Sequence, residues 1–387
     1  MNFARPENCP VCAEFVASLF QSAQARHDHD PGESWLPGIW ATTRCLRAAL
    51  PPGYVPVPTD PQLVELYLRL RFGADRQLVA VNVTSPILET CLPDVCRALG
   101  WQGNGDLSGI GVFTSFTIEA VLATLYLVAL GAPELGRSKG WWPMGRSRRV
   151  AVLDRLHGAF AATLPGFRSA AAFFCSALTV AALAVVIEAN RHPDETTSYE
   201  VLTATLVCVI SVFPVVLLNA LECHERPPIF HRGIMMVLLA LAFIQVNMSE
   251  NVRPEQAVLD SGGMADSFMV YCPVSQGPIF QAVTATYVLY LVGGFAALVF
   301  DFSYKKRGLD RYAWAVRLKT HWRLVAAVPC MLVMWVYFGL YQHVRADVLD
   351  RAGPTNRDNQ WTFGQFVAVL AWVPVVTEFG YRLKCKP

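Results

Sequence analysis

Seven apolar runs, each nearly free of charge, punctuate the chain: Ile110 to Ala129, Ala170 to Glu188, Val201 to Leu221, Gly233 to Val246, Ala282 to Phe300, Leu324 to Tyr341 and Thr362 to Phe379. A helix rising 1.5 Å per residue needs about 20 such residues to cross roughly 30 Å of hydrocarbon, and it satisfies its own backbone polar groups on the way. The pattern therefore predicts an all-α fold: a polytopic transmembrane helix bundle of about seven spanning helices, the fourth being the shortest. With 53% hydrophobic and only 16% charged residues over 387 positions, the chain is more apolar than a water-soluble protein of this size. The net charge of +2 and the scatter of basic residues among loops exclude an electrostatic nucleic-acid surface. Pro214, Pro329 and Pro374 lie inside three of the runs and are expected to kink them.

Basic residues set the orientation. Arg137, Lys139, Arg146, Arg148, Arg149, Arg155 and Arg168 follow the first run, and Lys305, Lys306, Arg307, Arg311, Arg317, Lys319 and Arg323 follow the fifth. Both connections are expected in the cytoplasm, with Arg382, Lys384 and Lys386 in a short cytoplasmic tail, which makes the protein N-out and C-in. The sixth connection, with Arg345, Arg351 and Arg357, fits this less well. The sequons at Asn82 and Asn247 both fall on the predicted outer side and are candidate glycosylation sites. Three regions result: 1–109 outside, 110–381 as the bundle and 382–387 inside.

The outer region opens without the apolar segment of a cleavable leader, so the first spanning helix is expected to translocate it. Six of the eleven cysteines, Cys9, Cys12, Cys45, Cys91, Cys96 and Cys272, fall on that side, where disulfides are the default. The alternative joins Cys9-x-x-Cys12 to His27-x-His29 as a zinc site, but no second CxxC or HxxxH supports it. Cys175, Cys208 and Cys330 lie in apolar runs and read as small packing residues. No metal site and no cofactor is predicted: the chain has no P-loop, no HExxH and no acidic cluster able to hold magnesium and a diphosphate.

Two local sequences stand out. Gly103-Asn104-Gly105-Asp106-Leu107-Ser108-Gly109-Ile110-Gly111-Val112 leads into the first run, where Asp106 or Ser108 is placed to cap the helix. Asp358-Asn359-Gln360-Trp361-Thr362-Phe363-Gly364-Gln365 opens the last, with Thr362 as its cap. Between them in depth is Glu119, nine residues into the first run and so about 13 Å below its end. A carboxyl at that depth is costly unless neutral, paired or facing a polar cavity, which makes it a candidate proton donor. Packing through a hydrogen bond to a neighbouring helix is the competing reading. Ser115 continues the polar stripe one turn above. Asp358 and Gln365 are polar groups entering a membrane helix; Gln245, Gln281, Thr284, His343 and Tyr341 add others at outer helix ends, and the pattern predicts a polar pocket opening outward, rimmed by Trp361, Phe363 and Tyr287.

Both local sequences resemble a pattern in poorly characterised multipass membrane proteins of filamentous fungi. There, a GN-x-D-x-x-GIGV stretch precedes the first spanning helix and a W-x-FGQ stretch opens the last; the resemblance covers Cys91 to Glu378. In outline the chain is also similar to fungal membrane-bound terpene cyclases of meroterpenoid pathways. That likeness implies a cyclase or isomerase of secondary metabolism, acting on a hydrophobic prenylated small molecule in the endoplasmic reticulum or another endomembrane. Other pathway enzymes would share that membrane.

On this reading Glu119, Asp106 and Asp358 are the catalytic candidates, and Trp361, Phe363, Gln365 and Tyr287 the substrate-binding ones. A neutral acid would protonate an epoxide or alkene, and aromatic faces would stabilise the cation. The alternatives are a seven-helix receptor-like protein, for which an NPxxY switch is missing, and a transporter, for which no internal repeat is visible.

Overall fold

The computed structural model describes residues 8–24, 35–49, 58–65, 87, 90–99, 104–138, 148–191, 198–221, 229–251, 281–283, 285–286, 288–289, 313–353 and 358–385. Every regular element among them is a helix: α1 (Cys9–Gln24), α2 (Trp35–Ala48), α3 (Gly105–Ser108), α4 (Ile110–Ser138), α5 (Arg148–Arg191), α6 (Ser198–Leu221), α7 (Ile229–Asn251), α8 (Ala313–Ala352), α9 (Phe363–Leu370) and α10 (Val373–Cys385).

Five spans among the described residues are long and apolar enough to cross a membrane: Gly105–Pro133, Val152–Arg191, Tyr199–Leu221, Ala326–Ala352 and Phe363–Lys384. The apolar part of α7, Gly233–Ser249, is shorter. The protein is thus a multipass membrane bundle. Most of the expected fifth run, 282–300, lies outside the described residues, as do Tyr287, Thr284 and Asn82.

Helix α6 is the hub. It is apolar all round, which suits a helix enclosed by others, and it packs against α4, α5, α7 and α8. Its residues from Val201 to Val215 are buried without exception. Helix α10 lies along α5, and α9 along α4.

Two helices outrun the apolar segments that announced them. Helix α5 has 44 residues and α8 has 40, about 66 and 60 Å at 1.5 Å per residue. Arg148, Arg149, Arg155 and Arg168 are therefore helical rather than in a loop, and so are Arg345 and Arg351. Charges interrupt a hydropathy profile, but they are good helix formers and do not stop a helix. Arg351 pairs with Asp347 one turn away at 2.9 Å.

The last run is divided. Helix α9 ends at Leu370 and α10 starts at Val373, so the kink expected at Pro374 is a break, with the proline in the first turn of the new helix. Trp372 N donates to Val369 O at 3.2 Å, which leaves Ala368 O without its helical donor. The Ser115 hydroxyl donates to Ala368 O at 2.9 Å, and Trp372 Nε1 donates in turn to Ser115 Oγ at 2.7 Å. Broken backbone at membrane depth survives where protein groups satisfy it, and here α4 provides them.

A second, smaller core lies in the N-terminal region, where Phe15, Val16, Ile87 and Val95 are buried around two disulfides, Cys9–Cys91 and Cys12–Cys45. Cys96 is disulfide-bonded too. The two halves of the CxxC thus go to different partners, and sulfur held in a disulfide cannot serve zinc as thiolate. The unit touches the bundle beyond the end of α8. Gly353 has φ of 61°, and a Cβ there would stand 3.3 Å from Arg97 Cδ.

Candidate functional site

The two local sequences that stood out are in contact, although about 250 residues separate them. Three glycines let this happen. Gln365 pushes its amide between them, donating from Nε2 to Gly105 O at 2.7 Å and accepting at Oε1 from Gly111 N at 2.9 Å. A Cβ at Gly109 would stand 2.6 Å from Gln365 Cδ, and one at Gly111 would stand 2.9 Å from Trp361 Cζ3. Side chains larger than hydrogen would fill the slot that Gln365 occupies.

This contact supplies the caps of α4. Ile110 N donates to Asp358 O at 2.7 Å, and Gly111 N donates to Gln365. The local cap expected from Asp106 or Ser108 is therefore replaced by one from the far end of the chain. Asp106 lies exposed, 3.5 Å from where a Gly364 Cβ would be. Ser108 instead donates to Asp358 Oδ1 at 2.7 Å. Thr362 does cap α9, accepting from Gln365 N at 3.4 Å.

Arg345 closes the clasp. It is 9% exposed and donates from Nε to Ser108 O at 2.8 Å, and from Nη2 to Asn359 Oδ1 at 2.7 Å and to Asp358 O at 3.3 Å. Its guanidinium lies 5.6 Å from the Phe113 ring centre. Tyr341, one turn before it on α8, donates to Leu107 O at 3.0 Å. Tyr199 at the start of α6 lies within electrostatic reach of Asp358 and Arg345. Arg345 is therefore not the loop charge that its place in the sixth connection suggests; its spacing of four from Tyr341 is the sign in the sequence that both face inward.

The clasp thus uses Asp358 and Gln365 to hold backbone. Trp361 and Phe363 lie on the bundle surface, 47% and 84% exposed, with Trp361 stacked on Phe366 at 4.9 Å. Asn247 is within α7 and donates to Phe243 O at 2.7 Å, while Ser249 of its sequon is buried. That is a helical setting rather than the surface loop a glycan acceptor needs.

Glu119 is different. It is fully buried, and neither carboxyl oxygen has a hydrogen-bond partner among the described residues. Helices α4 and α5 are antiparallel here: Phe116 meets Phe174 with ring centres 5.5 Å apart, and Tyr126 OH meets Thr163 Oγ1 at 2.6 Å. That register sets the small residue Ala171 opposite Glu119.

Around this point an aromatic chain runs through the core. Trp372 packs on Phe174 at 5.4 Å and on Phe167 at 5.8 Å, and Phe116 packs on Tyr341 at 6.2 Å. These rings sit at core positions of their helices, where a sequence shows only packing. On the other side of α5, a cleft of about 410 Å³ against α7 is lined by Ser176, Val180, Gly233 and Val237. Among the described residues no three His, Cys, Asp or Glu side chains gather as a metal site.

What the arrangement offers chemically is a carboxyl group enclosed in an aromatic-rich core. No protein-family model, no curated protein and no solved structure matches the chain.

Proposed function

We propose that this protein is a membrane-embedded acid catalyst, a terpene cyclase in which Glu119 protonates an epoxide or alkene of a prenylated, meroterpenoid-type substrate. The observation that carries the reading is the unpartnered, fully buried carboxyl of Glu119. Burying a polar group without a hydrogen bond costs about 1–3 kcal/mol in proteins, and a carboxyl kept there at that cost is a functional candidate. As a neutral acid it donates its proton to the epoxide oxygen, the C–O bond opens, the cation passes along the alkenes as rings close, and the last carbocation loses a C–H proton back to the Glu119 carboxylate, leaving a cyclised isomer. Phe116, Phe174 and Trp372 present the π faces that suit such a cation.

A substrate of this kind dissolves in the bilayer. It would meet the bundle at Trp361 and Phe363 on the surface or at the apolar cleft between α5 and α7. Asp358 belongs to the clasp, where it holds Ile110 and Ser108, and Asp106 lies exposed beside it; this reading gives neither a reaction step. The disulfides of the N-terminal region support an N-out, C-in orientation, in an endoplasmic-reticulum-type membrane shared with the enzymes that build the substrate.

Microsomes carrying the protein, incubated with an epoxyfarnesyl phenol, test this. Cyclised product from the wild type and none from Glu119→Gln is expected; equal product from both removes Glu119 as the acid. A second reading, proton-coupled transport, draws on the helix break beside Ser115, since discontinuous helices mark substrate sites in transporters. Uptake of a solute into proteoliposomes with no product formed would favour it.

A further inference from the structure

Eleven cysteines leave one bond to be placed. Cys9 pairs with Cys91 and Cys12 with Cys45, Cys96 is held in a disulfide as well, and Cys175, Cys208 and Cys330 are free thiols buried in the bundle. The partner of Cys96 is therefore Cys223, Cys272 or Cys385. A disulfide holds its two Cα atoms within about 7 Å of each other, so position decides. Cys96 lies at the clasp end, because Arg97 beside it meets Gly353, just past the end of α8, with Cδ 3.3 Å from where a Cβ would stand. Cys223 and Cys385 lie at the opposite end. Helix α6 starts near the clasp, where Tyr199 is within electrostatic reach of Asp358 and Arg345, and its 24 residues carry the chain about 36 Å away to Leu221. Cys223 follows by two residues, which can bring it back by no more than about 7 Å. Helices α9 and α10, of 8 and 13 residues, likewise carry the chain about 30 Å from the clasp to Cys385.

Cys272 itself lies outside the described residues, in the connection 252–280, but both ends of that connection are at the clasp end. Helix α7 runs only six residues past Gln245, whose Nε2 donates to Thr205 Oγ1 in the clasp-side half of α6 at 3.3 Å, before it ends at Asn251. After the connection, Ala282 O accepts from Tyr337 OH at 2.9 Å, one turn from the Tyr341 of the clasp. Nine residues from Gln281 back to Cys272 can span up to about 30 Å, enough to reach Cys96. We propose that Cys96 and Cys272 form a third disulfide, which fastens the N-terminal unit to the connection that follows α7. The bond closes a covalent ring through α3, α4, α5, α6 and α7, so the unit is joined to the bundle by its own chain on one side and by sulfur on the other. It forms by thiol–disulfide exchange: a disulfide-bearing carrier protein takes up two electrons and both thiol protons and leaves as a dithiol.

Peptide mass mapping of the unreduced full-length protein tests the pairing, with free thiols alkylated before digestion. Trypsin and Asp-N cut after Arg97 and before Asp94, which separates Cys96 from Cys91. The expected product joins peptide 94–97 to a peptide holding Cys272 and disappears on reduction. In Cys272→Ser, Cys96 is expected to pass from blocked to alkylated, while Cys223→Ser and Cys385→Ser leave it blocked. If Cys272→Ser does not fold, the wild-type map alone decides. Non-reducing electrophoresis is expected to show a monomer. Cys96 joined to Cys223 or to Cys385, a cross-link between two copies, or alkylation of both Cys96 and Cys272 in the wild type overturns the pairing.

Discussion

Replacing Gln365 by Leu keeps most of the side-chain volume and deletes both polar ends of the clasp. Gly111 N–H and Gly105 C=O each lose a bond, at 2.9 and 2.7 Å. A buried backbone group left unpaired costs about 1–3 kcal/mol, so the pair amounts to about 2–6 kcal/mol. Interhelical bonds inside membrane bundles average nearer 0.6 kcal/mol, because the separated helices find other partners. That discount does not apply to Gly111 N–H, which belongs to the first turn of α4 and has no helical acceptor. We expect a loss of about 3 kcal/mol, read from tryptophan fluorescence as the folded protein is titrated with a denaturing detergent. Gly109→Ala supplies the second arm, since its Cβ would crowd Gln365. Combined with Gln365→Ala, the two losses should fall short of their sum by about 1 kcal/mol or more. A Gln365→Leu protein within about 0.5 kcal/mol of the wild type, or additive losses, would refute the clasp as the fastener of α4.

Other expectations concern separate parts of the molecule. Glu119→Leu should raise stability by about 1–3 kcal/mol while removing activity, because it deletes an unpaired buried carboxyl; a loss of stability would mean that Glu119 is a packing residue with a partner. Asp106→Asn, on the exposed side of α3, should leave product formation within about twofold of the wild type, a change worth under ~0.5 kcal/mol. Cys12→Ser opens a loop of 33 residues, worth up to about 4 kcal/mol by chain entropy, and mass spectrometry of non-reduced protein should show Cys45 newly open to alkylation. Ser115→Ala should cost about 1–3 kcal/mol by orphaning Ala368 O and Trp372 Nε1.

Much of the membrane architecture was legible because hydrocarbon imposes a length and a composition on each helix. Helix ends were less so. Arg148 and Arg345 looked like loop residues because charge, and not backbone geometry, is what a hydropathy profile registers. The partner of the GNGDLSGIGV stretch was also illegible in detail: glycines leave room for a close approach, but what approaches is Gln365, fixed by tertiary packing. Glu119 was legible from depth alone. Phe116, Phe174 and Trp372 were not, since aromatic residues at helical spacing look the same whether they pack or line a reaction site.

The most direct measurement is product formation from an epoxyfarnesyl phenol by purified wild type and Glu119→Gln, side by side in nanodiscs with folding verified for each. The account predicts a cyclised isomer of the substrate from the wild type and a fall of at least about a hundredfold in the variant, the lower bound for losing a general acid. Cyclised product at the same rate from both would contradict it.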